Sequence, residues 1–457
     1  MLRAQQPSAT QFGQVSNSRG VHGCWYGSSL SASVSCSADL TTCLNSGCTL
    51  SSAPELVARE PEWGCGVLFQ PTGAMRILLA TTAGAGHFAA LAPFAAAYRD
   101  AGHAVRVAAP VSFAAAAQAS GFEHAPLADG PPDEIGAAFA RLPEVSREEA
   151  NAIIFRDVFG RIDARAALPG MQAAADAWRP DVIVRETTEF ASYLVAELNN
   201  IPHAQVAISV ASMEDVWLPV VDEPLRELGS TRGLAGLLAA PRLSLVPATF
   251  EDDDAEHAAR PTHRFRYPAP PSSKAAPPPA WWPFLEPETP LVYMTFGSVA
   301  ASAGFFPDVY RAMIDALADM PARVLLTVGN SADPERLGPL PPSIHVERWW
   351  PQEQVMPHVA AMIAHGGFGT TLLSLSAGVP MVVIPLFADD QYANARRVQA
   401  VGAGVALDDG PAAASRVRSA LEDVLNNGAY RVAARRVADE IASLPHPSES
   451  LAVLEAL

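Results

Sequence analysis

Lysine is almost absent from this 457-residue sequence, because Lys274 is the only one and arginine supplies the other basic side chains. Lysine and arginine together number 31 against 48 acidic residues, and the formal net charge is −17. A nucleic-acid binder needs a basic face, and a transmembrane helix needs about eighteen consecutive apolar residues. The sequence offers neither. We therefore expect no nucleic-acid partner, no transmembrane segment and a cytoplasmic location.

Cysteine is absent after residue 65, and all five cysteines precede Met75: Cys24, Cys36, Cys43, Cys48 and Cys65. Residues 1–74 are rich in serine, glycine and threonine and show no sustained periodicity, and their cysteine spacings fit no zinc site. We interpret them as a disordered extension, or as the result of a start codon placed too early. A disulfide framework is the alternative.

The N-terminal interpretation can be tested by removing the segment. A chain that starts at Met75 is expected to express, fold and turn over like the full chain, because no fold signal precedes that residue. Turnover assays and mass spectrometry of the cysteines check this. Lost activity, or ordered disulfides among the cysteines, would contradict it.

From Met75 onward, short apolar strands alternate with glycine-containing turns and helices. Such strands are typical of parallel sheets covered on both faces. In the first half, strands are predicted at Arg76–Thr81, Val105–Ala109, Asp181–Val184 and Ala204–Ile208, and helices at Phe88–Ala101, Asn151–Trp178 and Phe190–Leu198. In the second half, strands are predicted at Leu291–Phe296, Arg323–Val328, Ile344–Trp349, Met362–Ala364, Met381–Pro385 and Val405–Leu407.

A proline-rich stretch separates the two series, and its composition is typical of a semi-rigid linker. We therefore expect an N-terminal domain at 75–268, a linker at 269–290 and a C-terminal domain at 291–457. The predicted fold class is α/β, with two doubly wound parallel sheets facing a cleft. Ligands bind at the carboxyl ends of the strands in such sheets.

The most informative segment is the glycine-rich turn His365–Thr370, between a short strand and a helix. Its glycines allow a ligand to approach the backbone, and the helix start offers free N–H groups to an anion. With the flanking Trp349–Gln352 and Pro385–Gln391, and with Asn394 and Gly402–Gly404, the pattern resembles the donor signature of family 1 GT-B glycosyltransferases. That family includes plant secondary-metabolite and bacterial antibiotic transferases, and the resemblance extends from Met75 to Leu457.

The resemblance implies a role for each residue of the donor half. Trp349 would stack on the pyrimidine base, and Gln352 would hydrogen-bond the edge of the base. His365 would contact the diphosphate, and Asp390 and Gln391 would hold sugar hydroxyls. The remaining diphosphate contacts would come from Ser298, Gly367, Gly369 and Thr370. Trp350 is interpreted as a packing residue.

The resemblance also places the catalytic base at His87, after the first predicted strand. An acceptor hydroxyl is a poor nucleophile until its proton is removed, and imidazole serves this purpose near neutral pH. The residue that orients the base would be Glu186, with Glu189 as the alternative. Family members commonly carry proline three residues after the histidine, where this chain has Ala90. His103, His203 and His358 are interpreted as structural.

No metal and no cofactor is expected, because the acidic run Asp252–Asp254 lies beside the linker and the nucleotide sugar is itself a substrate. The acceptor is expected to be a small hydrophobic molecule. Phe155, Phe190 and Met213 are candidate lining residues, although they fit an ordinary core equally well. The oligomeric state is expected to be a monomer or a homodimer.

The sequence thus predicts an inverting, metal-independent transferase that moves a sugar from a uridine or thymidine diphosphate donor to a hydroxyl of a small natural product. A sugar-nucleotide epimerase or hydrolase of the same architecture is the alternative enzyme. A noncatalytic sugar-nucleotide-binding partner of a true transferase is the alternative outside enzymes.

Overall fold

The computed structural model describes residues 73–251, 260–268 and 288–457. The five cysteines, nearly all of the predicted extension and linker, and the acidic run Asp252–Asp254 lie outside these residues. Within them, two parallel sheets account for all thirteen strands.

The first sheet has seven strands in the order β3-β2-β1-β4-β5-β6-β7. These strands are β1 (Arg76–Ala80), β2 (Ala104–Pro110), β3 (Glu123–Leu127), β4 (Val182–Glu186), β5 (His203–Val206), β6 (Arg242–Ser244) and β7 (Thr262–Arg264). Their helices are α1 (Ala85–Asp100), α2 (Ala114–Ala119), α3 (Pro132–Arg141), α4 (Arg147–Ala152), α5 (Ala164–Trp178), α6 (Ala191–Asn199), α7 (Ala211–Trp217), α8 (Asp222–Glu227) and α9 (Gly233–Ala239).

The second sheet has six strands in the order β10-β9-β8-β11-β12-β13. These are β8 (Leu291–Thr295), β9 (Arg323–Thr327), β10 (Ile344–Glu347), β11 (Val359–Ala364), β12 (Met381–Val383) and β13 (Gly404–Ala406). Their helices are α10 (Asp308–Leu317), α11 (Gln352–Val355), α12 (Phe368–Ser376), α13 (Asp389–Ala400), α14 (Ala414–Asn426), α15 (Gly428–Ser443) and α16 (Leu451–Glu455). No helix in the described ranges is long and apolar enough to cross a membrane.

Both sheets reverse their strand order at one place, and these places position the site. In the first sheet β1 pairs with β4, whereas the chain visits β2 and β3 between them. In the second sheet β8 pairs with β11 in the same way. A crevice opens at such a switch point, because the connections leave in opposite directions. The loops after β1, β4, β8 and β11 therefore converge in two crevices.

Apolar burial explains why these segments form central strands. Every residue of β8 is buried, as are four of the five residues of β1. Strands that are covered by helices on both faces are continuous apolar runs in the sequence, and this pattern allowed these strands to be predicted.

Among the differences from the predicted elements, three matter for the site. α1 begins at Ala85, so His87 lies inside its first turn and not before it. β4 extends to Glu186, so this residue ends the strand. The predicted helix Asn151–Trp178 contains a π-helical segment, Ile153–Asp163, between α4 and α5.

Candidate active site

His87 is held at the start of α1 by a close approach to Gly84. Gly84 caps the helix, and a β-carbon built on it would lie 2.5 Å from Cδ2 of the His87 ring. No side chain other than hydrogen fits at this distance. The glycine therefore allows the imidazole to fold back over the helix start, at the mouth of the first crevice.

Glu186 lies beside the imidazole as expected, and it is fully buried. Its Oε1 is 3.3 Å from Nδ1 of His87. The carboxylate also accepts hydrogen bonds from the Thr82 N–H at 3.2 Å and the Thr188 N–H at 2.6 Å. Burial raises the pKa of Glu186, but His87 and these N–H donors outweigh burial and hold the pKa below its ordinary value. Glu186 is therefore a buried anion.

The pair also determines the state of the imidazole. Burial lowers the pKa of His87, but the Glu186 carboxylate outweighs it and holds this pKa above the ordinary value. Nδ1 lies between Glu186 and the Thr188 hydroxyl, which is 3.1 Å away. An Nδ1–H that donates to this acidic side leaves the lone pair on Nε2, the arrangement a general base requires.

Glu189, the alternative partner, does not contact the imidazole in the described structure. Its carboxylate accepts a hydrogen bond from the Ser192 N–H at 2.9 Å, at the start of α6. Burial raises the pKa of Glu189 to about 7. The geometry thus favours Glu186 over Glu189 as the residue that orients the base.

Two neighbours of the base were not predicted from the sequence. The Phe159 ring lies 5.7 Å from the His87 ring, and Asp163 follows one turn later on the same π-helical segment. Burial and the nearby Asp129 raise the pKa of Asp163 to about 6, whereas His87 lowers it. Phe159 and Asp163 are four residues apart, a spacing that places two residues on the same face of a helix. No other sequence pattern linked them to each other.

The second crevice is built around the buried ring of His365, which follows β11. A β-carbon on Gly297 would lie 2.7 Å from this ring, and one on Gly367 would lie 2.4 Å from it. Gly297 also has a φ of +76° and Gly366 a φ of +87°, in the left-handed region that favours glycine. The glycines of both loops therefore make room for the imidazole.

His365 is an uncharged group in this environment. Burial lowers its pKa to about 4, and its Nδ1 is buried without a hydrogen-bond partner. A neutral ring can still donate one N–H to an anion. The diphosphate contact predicted for His365 would therefore be a hydrogen bond from an uncharged ring and not an ion pair.

The two crevices face each other through the starts of two helices. Gly367 caps α12, whose first turn contains Gly369 and Thr370. A β-carbon on Gly369 would lie 3.9 Å from Cβ of Ala89, the fifth residue of α1. The free N–H groups at the start of α12 therefore lie close to α1, the helix that carries His87. Ser298, after β8, is exposed.

Asp390 and Gln391 lie in the first turn of α13. Burial raises the pKa of Asp390 to about 6, while the Gln391 N–H and the charge of His87 lower it. The Gln391 side chain is buried, and its Oε1 accepts hydrogen bonds from the N–H groups of Leu386 at 2.9 Å and Phe387 at 3.3 Å. Gln391 thus fixes the loop before α13, while the carboxylate of Asp390 interacts electrostatically with the base.

The two tryptophans of the predicted base-binding segment differ in exposure. Trp349 is 60% exposed, whereas Trp350 is half-buried and packs against the core. Gln352 is half-buried at the start of α11. An exposed indole face next to a polar amide is the arrangement that a planar base with a polar edge can use.

A cleft of about 290 Å³ lies beside α4. Phe155 lines it and stacks on Trp217 with ring centroids 4.3 Å apart. Phe155 also contacts Phe159 at 5.7 Å, so aromatic rings connect the cleft to His87. Phe155 and Met213 are each 8% exposed and Phe190 is 1% exposed, and all three belong to the core. Among the three candidates, only Phe155 lines this cleft.

Two of the histidines interpreted as structural, His103 and His203, pack within the first domain. His103 is buried and its Nδ1 accepts a hydrogen bond from the Met75 N–H, and the His203 ring packs against Tyr193. Within the described ranges, no three His, Cys, Asp or Glu side chains are grouped to hold a metal ion.

Comparison with known proteins identifies the family. The N-terminal and C-terminal domain models of the family described as erythromycin biosynthesis protein CIII-like match residues 96–230 and 311–457. The chain is 29% identical to the 4'-demethylrebeccamycin synthase of Lentzea aerocolonigenes, over 84% of this chain and 99% of that protein. It is 30% identical to the L-demethylnoviosyl transferase of Streptomyces niveus, over 82% of this chain and 96% of that protein.

A solved structure supports the same assignment. The glycosyltransferase SsfS6 of Streptomyces sp. SF2575, in complex with thymidine diphosphate, is 27% identical to this chain. The two superimpose with a TM-score of 0.65, over 84% of this chain and all of SsfS6 (100%). The chain therefore belongs to the erythromycin biosynthesis protein CIII-like glycosyltransferases, which confirms the predicted two-domain GT-B fold and the resemblance to family 1 antibiotic transferases.

Proposed function

We propose that this protein transfers a sugar from a nucleoside diphosphate to a hydroxyl of a small hydrophobic natural product, with inversion at the anomeric carbon. One observation carries the proposal. The His87–Glu186 pair opens on the start of α12 and on Asp390, so a base and an anion-binding helix start face each other across one cleft.

The donor is proposed to lie along the second crevice. Trp349 stacks on the nucleobase of the donor, and Gln352 hydrogen-bonds the edge of that nucleobase. The diphosphate is held by the start of α12 together with His365 and Ser298. Asp390 accepts hydrogen bonds from sugar hydroxyls, helped by the side-chain amide of Gln391. The thymidine diphosphate bound to SsfS6 favours thymidine over uridine as the nucleoside.

The chemistry is a single displacement. As the acceptor oxygen forms its bond to the anomeric carbon, its proton passes to Nε2 of His87, and the bond from that carbon to the diphosphate oxygen breaks. Glu186 stabilises the imidazolium that results. The electron pair of the broken bond leaves on the diphosphate oxygen, to which the N–H groups at the start of α12 and His365 donate hydrogen bonds. This arrangement supports the proposal that no metal is needed.

The acceptor is proposed to enter the cleft beside α4, with Phe155 as an apolar contact. Aromatic contacts lead from this cleft to His87, so a molecule bound there can present a hydroxyl to the base. We expect the protein to work in the cytoplasm as a monomer or a homodimer.

Turnover with purified protein distinguishes the proposal from its alternatives. Incubation with thymidine diphosphate sugar and an acceptor is expected to release thymidine diphosphate only as glycoside forms, with inverted anomeric configuration by NMR. A noncatalytic partner would bind donor and release nothing, a hydrolase would release free sugar without acceptor, and an epimerase would change the sugar. Retained configuration would also contradict the mechanism.

Asp390→Ala and His365→Ala are expected to affect different parts of the donor. Asp390→Ala removes a contact to the sugar, so it should weaken binding of nucleotide sugar by about tenfold and leave nucleoside diphosphate binding nearly unchanged. His365→Ala removes a diphosphate contact, so it should weaken both ligands. Calorimetry with the two ligands measures this. Equal losses for Asp390→Ala would contradict its assignment to the sugar.

A further inference from the structure

One contact crosses the cleft between the two domains, from α4 in the first domain to α13 in the second. Asp389, the first residue of α13, accepts hydrogen bonds from Nε of Arg147 and from Nδ2 of Asn151, both on α4. The guanidinium of Arg147 also lies 4.3 Å from the centroid of the Tyr392 ring, one turn further along α13. Two residues of α4 therefore hold the first turn of α13 from the opposite domain.

The position of this contact relates it to the donor sugar. Asp389 immediately precedes Asp390, the proposed sugar contact, in the first turn of α13. The side chain of Asp389 is only 16% exposed, although that of Arg147 is 57% exposed. The Asp389 carboxylate is therefore partly shielded from water, and its hydrogen bonds constrain the backbone more than those of a fully exposed pair would. A shift of Asp389 would move the carboxylate of Asp390 with it.

The same contact touches the acceptor site. Asn151 lines the cleft beside α4, and α4 continues directly into the π-helical segment. That segment carries Phe155 in the cleft wall and Phe159 against His87. One continuous stretch of chain thus contacts α13, lines the cleft beside α4 and packs against His87.

We propose that Arg147 and Asn151 are positioning residues for the donor sugar, which act across the cleft through Asp389 on Asp390. Sugar recognition is then shared between the two domains, although Arg147 and Asn151 belong to the acceptor half. The inference rests on the proposed function, because it takes Asp390 to be a sugar contact.

Calorimetry with thymidine diphosphate and thymidine diphosphate glucose tests the proposal. Arg147→Ala is expected to raise the dissociation constant of the nucleotide sugar by about tenfold and that of thymidine diphosphate by less than about twofold. Asp389→Asn should act alike, and the double variant should lose little more than either single variant, because both remove one interaction. Arg147→Lys keeps a cation but not the Nε–H, so its loss should be intermediate.

Arg165→Ala is the matched control. Arg165 pairs with Glu134 at 2.6 Å within the acceptor half and does not cross the cleft. It should change neither dissociation constant, whereas a merely structural role for Arg147 would lower thermal stability without separating the two ligands. Asn151→Ala provides the same test if Arg147→Ala folds poorly.

The outcomes separate this inference from the proposed function. If wild-type protein forms glycoside but Arg147→Ala and Asn151→Ala bind both ligands like Arg165→Ala, the positioning role is wrong and the proposed function stands. Equal weakening of both ligands would also overturn the positioning role. Wild-type protein that binds neither ligand would overturn the proposed donor class and this inference with it.

Discussion

Replacement of His87 by alanine is expected to lower kcat by about 10²- to 10⁴-fold, the range typical of a lost general base. Donor affinity should change little, because in the proposed mechanism the imidazole faces the acceptor, while its Nδ1 contacts Glu186 and Thr188. Steady-state kinetics and donor calorimetry measure the two quantities. Glycoside formation must be followed with an acceptor whose reacting hydroxyl is aliphatic, because an acidic phenol is already partly ionised.

His345→Ala is a suitable control for the loss of an imidazole. His345 lies on the edge strand β10, where it pairs with Glu347 at 2.8 Å, away from both crevices. Its removal should leave kcat within about twofold of wild type, as expected for a surface substitution. Near-normal turnover of an aliphatic acceptor by His87→Ala would sink the base assignment.

Glu186→Gln is expected to cost less in kcat than His87→Ala, but to move the acidic limb of the pH–rate profile to lower pH. The Glu186 carboxylate raises the pKa of His87, so its removal lowers that pKa, and the imidazole stays unprotonated to lower pH. A profile of kcat/KM against pH measures the shift.

Glu189→Gln is the matched control for this experiment. Glu189 is a buried carboxyl three residues away, and it contacts the start of α6 instead of the base. Its removal should leave the acidic limb nearly in place. If the limb moved with Glu189→Gln and not with Glu186→Gln, the two acids would have to exchange roles.

Glu186→Gln should also destabilise the fold by about 1 to 3 kcal/mol, since a buried amide cannot accept every hydrogen bond that a carboxylate accepts. Thr82 and Thr188 both donate backbone N–H groups to this side chain, and the NH₂ of glutamine would face one of them. Chemical denaturation at neutral pH measures the loss. The kinetic comparison therefore belongs at a temperature where both proteins are fully folded.

Most strands could be predicted from the sequence, whereas β3, β6 and β7 could not. β1 and β8 are apolar because helices cover both of their faces. β3 reads Glu-His-Ala-Pro-Leu and β6 reads Arg-Leu-Ser, and neither shows an apolar run. Their strand conformation comes from pairing with a neighbouring strand, which short-range patterns do not encode.

The residues of the candidate site that belong to a sequence motif could be predicted. The residues that only tertiary packing brings to the site could not. His87 and Glu186 could be named because the family resemblance matches them beside two central strands, and the structure brings them to 3.3 Å. Thr188 and Asp163 reach the same imidazole from chain positions that only the folded structure brings together. The contact between Arg147 and Asp389 is likewise tertiary, since 242 residues separate the two.

The cleft beside α4, the proposed acceptor site, has a network of buried ion pairs next to one wall, and this network limits how that wall can be exchanged between relatives. α7 carries Trp217 into the cleft, and Glu214 of the same helix pairs with the buried Arg242 at 2.9 Å. Glu251 binds Arg242 at 3.2 Å and accepts a hydrogen bond from the Ala211 N–H at the start of α7.

A chimera that replaces α7 alone would leave Arg242 as a buried charge with only part of its counter-charge, which commonly costs about 3 to 5 kcal/mol. Glu214 and Arg242 lie in different elements, so a graft that ends after α7 separates them. Arg260 also pairs with Glu214 at 3.6 Å, and Arg264 pairs with Glu251 at 3.7 Å. A transplanted segment should therefore run from α7 through Arg264, so that these charges are transferred together with the wall of the cleft.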